Sequence, residues 1–217
     1  MIQLDGTKAV IFDFDGLMIE SESIGYQVWR QVVAELGSEM SEALYREFIG
    51  KTPEATIDLV CETLGLSISP WDLHKRYWSQ RTETMCVEAR AEEGLVTLIE
   101  DLHQHQVPLG VASNSPTDYV ERVLDALQLR HRFQSVIGSD QVAEGKPAPD
   151  VYLATAAALT VDPQDCLAIE DSPTGLQAAL NAGMRCFVVP NENLEEEDFS
   201  GAESRFNSLS EVLAALS

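Results

Sequence analysis

Basic residues are scarce in this chain: 14 lysines and arginines are set against 36 aspartates and glutamates, which gives a formal net charge of −22 at pH 7. A field of that sign repels nucleic-acid backbones and anionic membrane surfaces, so neither is expected as a partner. An anionic small molecule would be repelled as well. Such a substrate therefore requires a local positive site on the protein.

Cysteine motifs and long apolar runs are also missing. The four cysteines form no C-x-x-C pair, and no Cys/His cluster has the spacing of a zinc site, so reduced thiols in a reducing compartment are expected. No apolar stretch approaches the roughly 18 residues that a membrane span needs, and no basic region followed by a long apolar segment opens the chain. We therefore predict a soluble, cytoplasmic protein.

What the chain does contain is a series of short apolar runs, at 9–12, 109–112, 135–137, 166–169 and 186–189. Each is nearly continuous rather than alternating, which is typical of strands buried on both faces of a parallel sheet. Helix-like segments accompany them, at 92–105, 116–127, 149–159, 173–182 and 209–216. Strands that alternate with helices predict an α/β fold with a doubly wound, Rossmann-like parallel sheet.

One interval interrupts this alternation. Between Gly16 and the run at 109–112 lie about 90 residues, far too many for one crossover helix. Apolar residues inside the interval recur at helical spacing. We predict a helical domain at 17–88, inserted into an α/β core made of 1–16 and 89–217.

Polar residues follow four of the apolar runs. In chain order they are Asp13 and Asp15, Ser113 and Asn114, Lys146, and Glu170 and Asp171. Ligands of open parallel sheets bind at the carboxyl ends of the strands. Singly, such residues are often turn or capping residues. Buried acids need partners, however, and four acids at one sheet edge indicate a functional site.

Charge balance at this edge favours a metal and a phosphate. Asp13, Asp15, Glu170 and Asp171 would bring up to four negative charges together, and Lys146 offsets one of them. A hard divalent cation with oxygen ligands would offset two more, and Mg²⁺ is the usual choice where phosphate is present. For the phosphate, the expected ligands are Ser113, Asn114, Lys146 and the helix N-terminus near residue 116.

The two aspartates after the first run can divide the chemistry of phosphate transfer between them. Residues i and i+2 of a strand point the same way, so Asp13 and Asp15 can face one substrate. One carboxylate can attack phosphorus, and the other can exchange a proton with the leaving group and then with water.

Together these motifs resemble the haloacid dehalogenase superfamily of phosphotransferases over essentially the whole chain. The D-x-D-G of 13–16 is similar to its first motif, "ASNS" around Ser113 to its second, "GKPAPDVY" around Lys146 to its third, and "IEDSPTGLQAALNAGM" to its fourth. The resemblance implies that Asp13 is the nucleophile and Asp15 the general acid/base. It also implies a Mg²⁺ site that includes Glu170 and Asp171, with Asp171 as the direct ligand of the two, together with the Asp13 carboxylate and the Asp15 main-chain carbonyl.

The insert resembles the helical cap of the subgroup that includes β-phosphoglucomutase and many small phosphate-ester phosphatases. This resemblance implies a cis Lys146–Pro147 bond and a cap that closes over the substrate. The candidate substrate contacts are Glu20, Glu22, Gly50, Lys51 and Thr52. The mutase pattern has an arginine three residues after the glycine, where this chain has Pro53, and that difference favours hydrolysis.

The leading interpretation is a Mg²⁺-dependent phosphatase that acts on a small phosphomonoester, such as a sugar phosphate, through an aspartyl-phosphate. A β-phosphoglucomutase-like mutase is the first alternative, and phosphonoacetaldehyde hydrolase, with Lys51 as its Schiff-base lysine, is the second. From a different class, a non-catalytic phospho-binding module remains open. The expected partner is a small-molecule phosphate ester, and the protein is expected to be a monomer or a weak homo-oligomer.

Overall fold

A computed structural model describes residues 6–48, 53–191, 194 and 197–216, with residues 53 and 54 described by their backbone alone. Its strands are β1 (Ala9–Phe12), β2 (Leu109–Ala112), β3 (Ser135–Ile137), β4 (Cys166–Glu170), β5 (Arg185–Val188) and β6 (Ser204–Arg205). They form one sheet in the order β3-β2-β1-β4-β5-β6, and all neighbouring strands run parallel. The predicted α/β fold with a parallel sheet is confirmed.

The centre of the sheet brings three chain-distant strands side by side. β1, β2 and β4 are buried along their whole length, as their continuous apolar sequences predict. Phe12 at the end of β1 lies opposite Val111 on one side and Ile169 on the other. The residues that follow these three strands therefore emerge next to one another at the same sheet edge.

The chain divides into two compact units, one made of Met1–Glu20 with Arg90–Ser217 and the other of Ser21–Ala89. The helices of Ser21–Ala89 are α1 (Glu22–Glu35), α2 (Glu42–Arg46), α3 (Pro53–Leu64) and α4 (Pro70–Glu88). Proline fits the first turn of α4, where the Ser69 hydroxyl also accepts a hydrogen bond from the Asp72 N–H at 3.1 Å. Trp29 of α1 stacks on Tyr77 of α4, with ring centroids 4.1 Å apart.

The unit that contains the sheet has the helices α5 (Leu95–Gln104), α6 (Thr117–Ala126), α7 (Asp150–Leu159), α8 (Pro173–Asn181) and α9 (Leu209–Leu216). Each of these helices overlaps a segment in which apolar periodicity predicts a helix. Apolar side chains from α7 and α8 join those of β1 and β4 in one buried cluster. Within the described residues, no helix is both long and apolar enough to span a bilayer.

Candidate active site

Asp13 follows β1 directly and lies between the ends of the neighbouring strands β2 and β4. Its N–H continues the sheet ladder by donating to the Ile169 carbonyl at 2.9 Å. On the other side of β1, the N–H of Ser113 extends β2 by donating to the Ile137 carbonyl at 3.0 Å. The predicted convergence of Asp13 with the groups after β2 and β4 thus follows from the sheet order.

Lys146 is the buried cation of this edge. Its ammonium donates hydrogen bonds to Asp13 Oδ1 and to Glu170 Oε1, the latter at 2.6 Å. Burial alone would lower the pKa of Lys146, but the negative charges of Asp13 and Glu170 outweigh burial and raise it above its usual value. Lys146 therefore stays charged, and its peptide bond to Pro147 is cis, as predicted.

Burial sets the protonation of Asp13, whose side chain has little contact with solvent. Loss of hydration raises its pKa to about 7, the charge of Lys146 opposes that rise, and the charge of Glu170 adds to it. A positive charge placed against this carboxylate would favour the ionised form that a nucleophile needs.

Glu170 is fully buried, and its carboxylate is enclosed by donors. Oε1 accepts from the Tyr152 hydroxyl at 2.7 Å as well as from Lys146, while Oε2 accepts from the Asp171 N–H at 3.2 Å and the Ser172 hydroxyl at 3.3 Å. These contacts make Glu170 a counter-ion that holds Lys146 in place. Tyr152 and Ser172 carry no expectation from the sequence, although both belong to the motifs quoted above.

Asp171 presents its carboxylate to the turn after β1. Its Oδ2 accepts from the Asn191 amide at 3.0 Å. Burial, together with the charges of Asp13 and Glu170, raises the pKa of Asp171 well above its usual range. Asn191 follows β5 and was not predicted, because a lone asparagine after an apolar run has no distinguishing signal.

Asp13, Glu170 and Asp171 form a cluster that can hold one metal ion. Each offers a carboxylate oxygen, and these three oxygens lie within 4.8 Å of one another among buried side chains. An all-oxygen donor set of this kind suits a hard divalent cation. The raised pKa values of Asp13 and Asp171 show that ionising these buried carboxyl groups is unfavourable, and a bound cation would offset that cost. The residues therefore fit the predicted metal.

Asp15 directs its carboxylate towards the loop after β2. Oδ2 accepts a hydrogen bond from the Ser115 hydroxyl at 2.6 Å, and Oδ1 accepts one from the Tyr119 hydroxyl at 2.9 Å. Neither donor was predicted: Ser115 lies inside the quoted "ASNS", but Tyr119 lies on α6, where its spacing fits a core position. The contact between the metal and the main-chain carbonyl of Asp15 remains a prediction.

The loop after β2 also contains Ser113 and Asn114. The Ser113 hydroxyl accepts from the Ser115 N–H at 3.0 Å. The Asn114 side chain pairs with the main chain of Lys146: Oδ1 accepts from its N–H at 2.7 Å, and Nδ2 donates to its carbonyl at 3.1 Å. The side chain of Asn114 thus links two loops, and its phosphate contact remains a prediction.

Two of the predicted substrate contacts lie within the described residues. Glu20 is exposed. Burial raises the pKa of Glu92, and the negative charge of Glu20 raises it further. Glu22 is half-buried at the start of α1, and its carbonyl accepts from the Tyr45 hydroxyl at 3.0 Å. Gly50, Lys51 and Thr52 lie outside the described residues.

Comparison with known proteins shows which family this chain resembles. The family model described as haloacid dehalogenase-like hydrolase matches residues 10–189. Hexitol phosphatase B of Escherichia coli K12 is 32% identical over 213 residues, covering 95% of this chain and 94% of that protein. Validoxylamine A 7'-phosphate phosphatase of Streptomyces hygroscopicus subsp. limoneus is 30% identical, covering 94% of this chain and 95% of that protein.

A solved structure agrees with the sequence matches. CbbY from Rhodobacter sphaeroides, crystallised in complex with phosphate and, as a mutant, with xylulose-(1,5)bisphosphate, superposes with a TM-score of 0.89 at 29% identity, covering 100% of this chain and 99% of that chain. The family model covers most of the chain, and the relatives align along nearly its whole length. This chain therefore belongs to the haloacid dehalogenase-like hydrolase family.

Proposed function

We propose that this phosphoric monoester hydrolase is a Mg²⁺-dependent phosphatase that hydrolyses a small phosphomonoester through an aspartyl-phosphate on Asp13. One observation carries the proposal: Asp13, at the end of the central strand β1, is hydrogen-bonded to Lys146 and lies within reach of one cation shared with Asp171. A buried carboxylate that lies beside Lys146, and that would have a second positive charge next to it when the metal is bound, is suited to receive an anionic phosphoryl group.

In the first half-reaction, an Asp13 carboxylate oxygen attacks phosphorus while the bond from phosphorus to the leaving oxygen breaks. Lys146, the Ser113 hydroxyl and the Asn114 N–H hold the phosphoryl oxygens. Asp15 gives its proton to the leaving oxygen. The products are the free alcohol, phosphorylated Asp13 and an ionised Asp15.

In the second half-reaction, a water molecule attacks the same phosphorus. Asp15 now accepts a proton from that water, and the bond between Asp13 and phosphorus breaks. Inorganic phosphate leaves, and both carboxyl groups return to their starting protonation states. The order of events makes Asp15 first an acid and then a base.

Asp13, Asp171 and the main-chain carbonyl of Asp15 would hold the Mg²⁺, and Glu170, the third acid of the cluster, would serve as the counter-ion of Lys146. When bound there, the ion neutralises negative charge on the transferring phosphoryl group and on the carboxylates. The donor chemistry of the cluster supports this choice of metal.

For the substrate class we propose sugar and sugar-alcohol phosphates. Support comes from relatives whose names refer to a hexitol and to xylulose bisphosphate. We further propose that the helical unit Ser21–Ala89 is the cap that recognises the leaving group, through Glu22 and residues 50–52. We propose a substrate contact for Glu20 as well, since carboxylates accept hydrogen bonds from sugar hydroxyls.

Phosphate release from a panel of phosphomonoesters, with and without Mg²⁺, tests the proposal. We expect metal-dependent release from sugar phosphates, and its loss in Asp13→Asn, because that change removes charge and nucleophilicity while the volume stays the same. Circular dichroism should show that the variant is folded.

Full activity of Asp13→Asn would contradict the nucleophile assignment. If no ester in the panel is hydrolysed, the mutase alternative is tested with hexose 1-phosphates in the presence of a bisphosphate activator.

A further inference from the structure

The carboxylate of Asp15 is held by two hydroxyl groups from the segment that follows β2, one in the loop and one in the first turn of α6. Ser115 donates to one carboxylate oxygen at 2.6 Å, and Tyr119 donates to the other at 2.9 Å. The two donors lie 100 and 104 residues from Asp15 along the chain. Their contact with Asp15 is therefore a product of the fold, and a local turn does not explain it.

Both donors are themselves held in place. Ser115 is buried in the loop after β2, where its N–H donates to the Ser113 hydroxyl at 3.0 Å and its carbonyl accepts from the Ser139 N–H at 3.2 Å. Tyr119 is a buried residue of α6, and its ring packs edge to face against Phe14, with ring centroids 5.9 Å apart. Phe14 is the residue between Asp13 and Asp15, so this ring contact ties α6 to the turn that carries both acids.

An aspartate side chain with no such partners rotates about two torsions, and its carboxylate samples several positions. Two donors fixed to different elements, a loop and a helix, remove both freedoms at once. Proton transfer requires the acid to lie within hydrogen-bond reach of the reacting oxygen, and displacements of about 1 Å can cost about 100-fold in rate. The orientation of Asp15 therefore has a direct kinetic consequence.

We propose that Tyr119 and Ser115 are positioning residues for proton transfer by Asp15. Tyr119 holds one carboxylate oxygen from α6, and Ser115 holds the other from the loop after β2. The inference rests on the proposed function, because it presupposes that Asp15 exchanges a proton with the leaving group.

The test compares leaving groups in Tyr119→Phe, which keeps the ring against Phe14 and removes only the hydroxyl. For alkyl phosphates, whose leaving oxygen needs a proton, we expect the rate of Asp13 phosphorylation, measured in a single turnover, to fall about tenfold, the size expected for losing one hydrogen bond. KM should stay close to the wild-type value. For p-nitrophenyl phosphate, whose leaving group needs no proton, the pre-steady-state burst of p-nitrophenol should keep nearly its wild-type rate.

Ser115→Ala provides a second variant in which the other oxygen loses its donor, and we expect the same dependence on the leaving group. Thr155→Val is the matched control for removing a buried hydroxyl, since the Thr155 Oγ1 donates to the main-chain carbonyls of Val111 in the sheet and Val151 in α7 and contacts none of the proposed catalytic groups among the described residues. We expect that control to slow all esters equally, if it slows them at all.

A double-mutant cycle separates positioning from a general structural effect. If Tyr119 acts through Asp15, Tyr119→Phe should add little to the loss already caused by Asp15→Asn, whereas independent effects would multiply. Equal slowing of Asp13 phosphorylation for all esters by Tyr119→Phe, or a full further loss in the Asp15→Asn background, would overturn the inference and leave the proposed function intact. If Asp15→Asn itself slows Asp13 phosphorylation by alkyl and p-nitrophenyl esters equally, the acid role of Asp15 fails, and the inference fails with it.

Discussion

At the turn after β1, Gly16 faces the carboxylate of Asp171 with no room for a side chain. A Cβ on Gly16 would lie 2.2 Å from Asp171 Oδ2, and the φ angle of Gly16 is +89°. Glycine adopts this backbone conformation without the steric cost that other residues incur. The identity of residue 16 is therefore tied to the proposed metal ligand as well as to the turn.

We predict that Gly16→Ala weakens Mg²⁺ binding by about tenfold or more, because the added methyl group displaces a carboxylate that is worth at least one charged hydrogen bond. Isothermal titration with Mg²⁺ measures the change. Gly6→Ala is the matched control: its φ is +88°, but nothing lies within 4 Å of the added Cβ. Both variants share the backbone strain, so equal Mg²⁺ affinities in the two would contradict the prediction.

The sequence predicts the residues of the site better than it predicts their contacts. Asp13, Lys146 and Asp171 are identifiable because each follows a strand of the sheet. The sequence identifies Asn114 as a polar residue after a strand. It does not predict that the Asn114 amide pairs with a peptide group 32 residues away, because that pairing depends on how two loops approach in space. Tyr119 has no signal at all, since an aromatic residue at helical spacing is what a core position requires.

At the scale of elements, α1 and α4 pack around a buried arginine. Arg81 of α4 donates to the Tyr77 hydroxyl at 2.7 Å, and its guanidinium lies 5.6 Å from the centroid of the Trp78 ring. Opposite it on α1, a Cβ at Gly25 would lie 2.4 Å from Arg81 Nη1 and 2.8 Å from the Tyr45 hydroxyl. The glycine in the first turn of α1 thus makes room for a charged group.

We therefore predict that Gly25→Ala destabilises the protein by about 1–3 kcal/mol, the usual cost of overpacking, although alanine is the better helix former by about 1 kcal/mol. Urea unfolding followed by circular dichroism measures the free energy of unfolding. Gln27→Ala, at an exposed position of the same helix, should be close to neutral. Stabilisation by Gly25→Ala would show that helix propensity outweighs the contact with Arg81.

Element boundaries show where apolar periodicity loses information. A helix is predicted over 92–105, but α5 begins at Leu95 because Gly94 has a left-handed backbone conformation, with φ of 87°. β6 was missed because its two residues, Ser204 and Arg205, form no apolar run. Periodicity finds elements that bury a face, and it is silent on short edge strands and on the exact turn where a helix begins.

For the whole molecule, the dominant feature is the net charge of −22. Charge of one sign destabilises the compact state through self-repulsion, and salt screens that repulsion. We predict that the melting temperature rises by several degrees as NaCl increases from about 10 mM to about 500 mM, where the Debye length falls from about 30 Å to a few ångströms.

Differential scanning fluorimetry in EDTA measures this rise without a contribution from the metal site. KCl should act as NaCl does, because the effect is one of ionic strength. A melting temperature that falls or stays constant with salt would show that local ion pairs, such as Arg185 with Glu203, outweigh the long-range repulsion.

The separation of the site residues along the chain has a consequence for biosynthesis. Lys146 lies 133 residues after its partner Asp13, and the strand that carries Glu170 pairs directly with β1. A ribosome therefore exposes the proposed nucleophile early and its cation, counter-ion and metal ligand late. The site around Asp13 is complete only after β4 has emerged and inserted beside β1. We therefore expect a nascent chain, or a fragment that ends before β4, to be unable to hydrolyse the substrate.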